Sequence, residues 1–272
     1  MKIGVLGCGK MCSAMIARWL DSHAVEKHHI LAMTKTVQSA ARVHQNLGVQ
    51  TCTSSQQLIS WADVVLVGIK PQQVATVLPP LKALVPSGQL WMSVMAGVRS
   101  ETIAEMTGAK VIRLMPNTPV RLGLGATGVV WPSDIAPPVQ NKLRGLLQSL
   151  GVVIDLHEEQ LDAFTALAGS GPAYVFYFIE ALQAAGQSVG LSDADARELS
   201  LSVVQGASAL LASGSQSALE HRLDVTSPGG MTEAAIGHLQ QVQWSNEMSG
   251  ALAAALHRAN QLAQAAASAT DP

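Results

Sequence analysis

Ser227, Gly230, Met231 and Thr232 fall within one run, Val225-Thr226-Ser227-Pro228-Gly229-Gly230-Met231-Thr232-Glu233, directly ahead of a long helical stretch. Pro-Gly-Gly ends one helix and starts another, which leaves the main-chain N–H groups of Gly230, Met231 and Thr232 without intrahelical partners. A helix N-terminus carries partial positive charge, so these N–H groups can hold a small carboxylate, with the hydroxyl of Ser227 or Thr232 beside it. The same residues also make an ordinary helix cap, a Ser/Thr followed by proline and an acidic first turn. Which of the two applies depends on what the rest of the chain supplies.

A second place for an anion lies at the start of the chain. Lys2 to Leu6 is a short apolar run, followed by Gly7-Cys8-Gly9-Lys10-Met11-Cys12 and an amphipathic segment through Ala14, Ile16, Ala17, Trp19 and Leu20. Strand, glycine turn and helix form the G-x-G-x-x-G/A arrangement: the chain at Gly7 and Gly9 approaches a pyrophosphate, and a helix opening at Lys10 and Met11 is aimed at it. Cys12 takes the last small position and is itself small enough for the helix to pack on the strand. The second strand ends in Met33-Thr34-Lys35-Thr36, with no acidic side chain for a ribose 2′-hydroxyl. Thr34 and Lys35 suit a 2′-phosphate, which puts NADPH ahead of NADH, and Lys10 can add a second positive charge.

Two further stretches read as cofactor-facing loops at the carboxyl ends of strands. One is Gly68-Ile69-Lys70-Pro71-Gln72, where Pro71 ends the strand; the other is Arg113-Leu114-Met115-Pro116-Asn117-Thr118-Pro119, with two prolines fixing an extended loop where a nicotinamide ring would lie. Lys70, Pro71, Met115, Pro116 and Asn117 are the candidates there, and Asn117 can bond a carboxamide. As rigid turns alone, both loops need no ligand.

The elements that must position these residues alternate. Strands are expected at His29–Met33, Ala62–Ile69, Leu90–Met95 and Val111–Met115, with helices through Val37–Leu47, Val74–Leu81 and Glu101–Met106 between them. Periods of 2 and 3.6 alternating over more than a hundred residues predict an α/β fold with a Rossmann-type, doubly wound and mostly parallel sheet. Short strands at Ala126–Trp131 and Val152–Leu156, separated by a helix through Val139 and Leu147, extend it. Past His157 no strand pattern returns. The expected division is a dinucleotide-binding domain over 1–157 and an all-helical domain over 158–272. That second domain is interrupted at Gly169-Ser170-Gly171-Pro172 and is expected to end in a loose tail, Ser268–Pro272.

Composition narrows the partners. Of 272 residues, 48% are hydrophobic and 13% charged, with a formal net charge of −2. Nothing is rich enough in Lys or Arg for nucleic acid, and no apolar run reaches the roughly 20 residues of a membrane span. A small molecule is the expected partner. Helices with so few charges and so much alanine predict faces shared between subunits. Lys2–Gly7 already reads as strand and turn, so no signal peptide is expected ahead of the core and the cytoplasm is the expected compartment. Three cysteines, Cys8, Cys12 and Cys52, with no histidine cluster beside them, read as packed thiols and not as a metal site.

Taken together, the quoted stretches, with Ala168-Gly169-Ser170-Gly171-Pro172-Ala173-Tyr174 and Asp224–Thr232 added, resemble the pyrroline-5-carboxylate reductase family over nearly the whole chain. The resemblance implies reduction of 1-pyrroline-5-carboxylate to L-proline by NAD(P)H, the final step of proline biosynthesis. It also implies a C-terminal helical domain that interlocks in a homodimer, often assembled further into a decamer. Where the family commonly has Asn, Ala and Thr or Ala, this chain has Lys10, Cys12 and Met231. By the resemblance Thr232 is the catalytic side chain, assisting protonation at the ring nitrogen, with Ser227, Gly230, Met231 and Thr232 binding the substrate.

The residues are consistent with that chemistry independently. No lysine follows Lys142, which excludes a catalytic lysine from the helical domain. His221, His238 and His257 fall on helices without a motif. A dehydrogenase of alcohols needs such an acid/base. A protonated cyclic imine does not, because its carbon already accepts hydride, and alignment is the main requirement. A reductase of another imine or carbonyl, and a dinucleotide sensor without turnover, remain the alternatives.

Overall fold

The computed structural model describes residues 1–268; of the expected loose tail, Ala269–Pro272 lies outside the described residues. In chain order the first part is built from β1 (Ile3–Leu6), α1 (Lys10–Asp21), β2 (Ile30–Met33), α2 (Val37–Leu47), β3 (Gln50–Cys52), α3 (Ser55–Trp61), β4 (Val64–Val67), α4 (Val74–Val77), β5 (Leu90–Ser93), α5 (Ser100–Thr107), β6 (Lys110–Pro116), β7 (Gly125–Val130), α6 (Pro137–Gln148), β8 (Gly151–Asp155) and α7 (Leu161–Phe164). The second part is helical: α8 (Gly171–Ser188), α9 (Asp193–Ser213), α10 (Ala218–Asp224), α11 (Met231–Gln241) and α12 (Trp244–Ser268).

The eight strands form one sheet in the order β3-β2-β1-β4-β5-β6-β7-β8. Every pair is parallel except β6 with β7. Six strands in the order 3-2-1-4-5-6 are the doubly wound dinucleotide-binding arrangement, and its chain reversal falls between β1 and β4. Alternate residues of the same strands feed two cores. Ile3, Val5, Ile30, Val64, Leu66, Met92 and Ile112 pack with α1 and α6, while Leu31, Val65, Val67, Trp91 and Val111 pack with α3 and α5. The period-2 pattern of buried strands makes both layers possible. The buried Gln89 and Trp91 are paired: Gln89 Nε2 donates to the carbonyls of Ile59 and Ala62 at 2.9 Å, and Trp91 Nε1 donates to Gln89 Oε1 at 3.1 Å.

Three local expectations are corrected. β3 and α3 lie in a segment where no element was expected, because three strand residues are too few for alternation to show. The helix expected through Val74 and Leu81 is only α4 plus a 3-10 segment, Pro79–Leu84, since Pro79 and Pro80 cannot continue the hydrogen-bond ladder. The stretch Arg113–Pro119 is not an extended loop: β6 runs to Pro116, and Pro119 stands in the first turn of a 3-10 segment, Thr118–Leu122.

The chain divides into two compact units, one of Met1–Ser170 with the end of the chain from Leu256, the other Gly171–Ala255. In the first, residues beyond β8 run as a 3-10 turn (Glu158–Gln160), α7 and a π-helical turn (Thr165–Gly169), and Pro172 stands in the first turn of the helix restarted at Gly171. In the second, Gly190 takes φ +103° to stop α8, and Ser192 caps α9 by accepting from the Asp195 N–H. The α8–α9 pair packs closely at Gly186, where a Cβ would lie 3.2 Å from that of Ala196. Beyond Ala196 and Ser200, α9 buries nothing, and α8 buries no residue at all. Phe176, Tyr177, Leu201 and Val203 are each more than half exposed.

Candidate active site

The carboxyl ends of β1 and β4 come together at the crevice of the sheet. Gly7 turns there with φ +88°, and its N–H donates to the Met33 carbonyl at 3.0 Å, while Gly68 N–H donates to the Leu6 carbonyl at 2.9 Å. The contact admits no side chain at Gly68. A Cβ there would stand 2.1 Å from Cys12 Sγ and 2.8 Å from the Gly7 carbonyl oxygen. Cys12 therefore occupies the space that a smaller residue would leave in the fingerprint, and Gly68 makes room for it. Burial pushes the Cys12 thiol well above its ordinary pKa, so it is a packing group and not a nucleophile. Gly9 caps α1 without a side-chain hydrogen bond, so the first-turn N–H groups at Lys10 and Met11 face outward with partial positive charge.

Around this turn stand the other candidates. Thr34 follows β2, its hydroxyl donating to the Thr36 carbonyl at 3.1 Å, and the Thr36 hydroxyl in turn caps α2 by accepting from the Ser39 N–H. Lys35 is exposed, as are Lys70 and Pro71 after β4. Met115, Pro116 and Asn117 lie at the carboxyl end of β6 and are buried. Asn117 is largely engaged inside the protein: its Oδ1 accepts from the Ala126 N–H and its Nδ2 donates to the Ala168 carbonyl, both at 2.9 Å. One N–H of its amide remains for a ligand.

Beneath the same strand lies an ion pair that the sequence reading did not anticipate. Arg113 on β6 donates to Glu158 Oε1 at 2.5 Å, and Glu158 also accepts from the N–H and hydroxyl of Ser100. The side chains are only 5% and 15% exposed, so each charge depends on the other. Burial raises the Glu158 pKa, but the Arg113 charge and the hydrogen bonds from Arg113 and Ser100 outweigh it, and the carboxyl lies below its ordinary value. A depressed carboxylate stabilises the fold at neutral pH and loses that contribution as pH falls through its folded-state value. Arg113→Ala is expected to cost about 3–5 kcal/mol in urea unfolding at pH 7, with the difference from wild type shrinking below the ordinary glutamate range.

In the helical unit, Ser227-Pro228-Gly229-Gly230 closes a tight turn with Gly229 at φ +70°. Here one expectation changes. The Gly230 N–H is not free, because it donates to the Ser227 carbonyl at 3.0 Å. The first intrahelical bond beyond it is Ala234 N–H to the Gly230 carbonyl, which leaves the N–H groups of Met231, Thr232 and Glu233 as the outward donors of α11. Gly230 is the N-cap and has no side chain to satisfy them. Glu233 reaches back so that its carboxylate accepts from the Gly229 N–H at 2.7 Å, tightening the turn; an acidic residue in the first helical turn is the signal for that contact. The Thr226 hydroxyl donates to the Arg222 carbonyl, whereas among the described residues the hydroxyls of Ser227 and Thr232 have no partner inside the protein.

Other places are less suited to this chemistry. A cavity of about 350 Å³, lined by Met1, His23, Glu26, His29 and Lys142, opens at the amino-terminal ends of the strands, opposite the crevice. Among the described residues, Glu26, His28 and His29 bring possible metal-ligand atoms within 4.8 Å of one another, on the turn before β2. Among the described residues no helix is long and apolar enough to cross a membrane.

A 3-2-1-4-5-6 sheet with a glycine turn at its switch point, followed along the chain by a helical unit, is the build of the dinucleotide-dependent oxidoreductases. Residues 2–97 match the family described as NADP oxidoreductase, coenzyme F420-dependent, and residues 158–262 match pyrroline-5-carboxylate reductase dimerisation. The chain is 34% identical over 242 residues to pyrroline-5-carboxylate reductase 2 of Bacillus subtilis, covering 88% of this chain and 87% of the relative. It is 32% identical over 266 residues to the pyrroline-5-carboxylate reductase of Pseudomonas aeruginosa, covering 97% of each. Among solved structures, a pyrroline-5-carboxylate reductase from Coxiella burnetii superposes with a TM-score of 0.89 at 31% identity, over 96% of this chain and 98% of the other. The pyrroline carboxylate reductase of Plasmodium falciparum with NADP bound shares the fold, with a TM-score of 0.85 at 24% identity over 97% and 98%. The chain belongs to the pyrroline-5-carboxylate reductase family, and its match to the dimerisation domain supports oligomerisation.

Proposed function

We propose that the N–H groups at the start of α11 hold the carboxylate of 1-pyrroline-5-carboxylate while the ring accepts hydride from NADPH, giving L-proline in the final step of proline biosynthesis. The observation that carries this reading is the unfilled helix start at Gly230, where outward N–H groups of Met231 and Thr232 stand beside the unpartnered hydroxyls of Ser227 and Thr232. Hydride adds to the carbon of the protonated C=N bond and the electron pair passes to nitrogen, so no lysine or histidine is needed. The Thr232 hydroxyl serves the ring nitrogen, and the protein's main task is alignment.

The cofactor seat combines Gly7, Gly9, Lys10 and Met11 for the pyrophosphate with Thr34 and Lys35 for the 2′-phosphate. Lys70 and Pro71 stand at the neighbouring strand end, and Met115, Pro116 and Asn117 on the nicotinamide side. Bound NADPH would supply the hydride and leave as NADP+; the chain supplies its orientation. In this reading residues 1–157 form the dinucleotide-binding domain and 158–272 the substrate-binding and dimerisation domain. The exposed apolar faces of α8 and α9 fit a homodimer through these helices, with further assembly to a decamer. Three free cysteines accord with a reducing cytoplasm.

Kinetics with pyrroline-5-carboxylate and each cofactor test the reading together. Turnover with NADPH is expected to exceed that with NADH. Lys35→Ala is expected to lower the ratio of the two kcat/KM values about tenfold, the loss of roughly 1.4 kcal/mol of charge-assisted phosphate contact. No consumption of NADPH on this imine would overturn the proposal.

A further inference from the structure

Arg113 and Asn117 stand four positions apart, at the middle of β6 and just past its end, and they bond to residues ten positions apart, Glu158 and Ala168. Four strand residues span about 13 Å, and ten helical residues about 15 Å. The matching lengths lay the segment from Glu158 through the π-helical turn along β6 as a strap tied at both ends. The second tie is the more demanding. Asn117 donates its main-chain N–H to the Ala126 carbonyl, accepts at its own carbonyl from Val120, accepts at Oδ1 from the Ala126 N–H and donates from Nδ2 to Ala168. Only a side chain with an acceptor and a donor at its two ends can join β7 to the strap in this way. The carbonyl it holds belongs to the turn where Ser170 N–H bonds Thr165 five residues back, and such single π turns are rare and frequent at functional sites.

We propose that Asn117 is a positioning residue: its amide fixes the carboxyl end of β6 and the π-helical turn to each other, so that the nicotinamide-side loop has one geometry. The role rests on the cofactor placement proposed above. Pyrophosphate and 2′-phosphate are held elsewhere, so loss of the tie lowers kcat by a larger factor than it weakens NADPH affinity.

The test replaces Asn117 with Asp. An ionised carboxylate keeps the acceptor toward Ala126 but sets a second acceptor against the Ala168 carbonyl; protonated, it donates again. Burial raises that carboxyl's pKa, and the ratio of variant to wild-type kcat is expected to rise about tenfold between pH 8 and pH 5.5. The other charged groups on the surrounding elements are Arg113, paired with Glu158; Glu159 beside it on the same 3-10 turn; Arg121, paired with Asp21; Lys110, paired with Asp134; and Asp162 on α7. Strand β7 carries none. Dividing by wild type removes their titration and that of the substrate. A flat ratio overturns the proposal. Hydrogen exchange at the Ser170 amide in Asn117→Ala, without cofactor, is the second measurement. Exchange at least about tenfold faster is expected, and unchanged protection overturns the tie whether or not the enzyme reduces the imine. Absence of wild-type turnover counts against the function instead.

Discussion

Thr232→Ala is expected to lower kcat for pyrroline-5-carboxylate roughly 10- to 150-fold, while the Kd for NADPH stays at the wild-type value. The magnitude is that of one hydrogen bond to a group whose charge changes during reaction, about 1.5–3 kcal/mol. The hydroxyl stands in the first turn of α11, unpartnered within the protein, so its removal leaves nothing inside the fold unsatisfied. Thr232→Ser is expected to retain most of the rate. The carboxylate contact is separable, because it is made by main-chain N–H groups that survive both substitutions; KM is expected to change less than kcat. Single-turnover oxidation of NADPH, followed by its absorbance, measures the step directly. An unchanged rate in Thr232→Ala would remove the hydroxyl from the mechanism.

Gly68→Ala is the second large effect, and it acts on the other ligand. Its Cβ would meet Cys12 Sγ at 2.1 Å and the Gly7 carbonyl oxygen at 2.8 Å, so α1 or the glycine turn must move. Overpacking of this kind costs about 1–3 kcal/mol. Taken up as displacement of the turn, it appears as roughly 5- to 150-fold weaker NADPH binding in a fluorescence titration. Cys12→Ala in the same chain removes the sulfur but not the backbone clash, and is expected to restore affinity in part. Wild-type affinity in Gly68→Ala would show that the crevice is looser than its contacts indicate.

Much of this architecture was legible in the sequence because the signals are local. The glycine turn at Gly7–Cys12, the alternation of periods from Ile3 to Met115 and the restart of the helix after Gly169 each declare themselves within a few residues. What was not legible depends on partners far along the chain. Arg113 finds Glu158 at a separation of 45 residues and Asn117 finds Ala168 at 51. The compensation of Cys12 by Gly68 requires knowing that β1 and β4 are neighbours. At the substrate end the motif was evident but its hydrogen-bond count was not. A turn that uses the Gly230 N–H moves the donor set one residue along the helix, and only the backbone path through Gly229 shows it.

The uncovered faces of α8 and α9 carry one further consequence. In the homodimer proposed through these helices, the pair gains its hydrophobic stabilisation from the second chain, so folding and association of that unit form one equilibrium. Its stability therefore has no single value: each tenfold dilution of the protein removes about 1.4 kcal/mol per mole of dimer. The enzyme's abundance becomes a term in its own thermodynamics, and a cell holding too few copies would contain chains with an intact nucleotide-binding sheet and a helical half that has not finished folding.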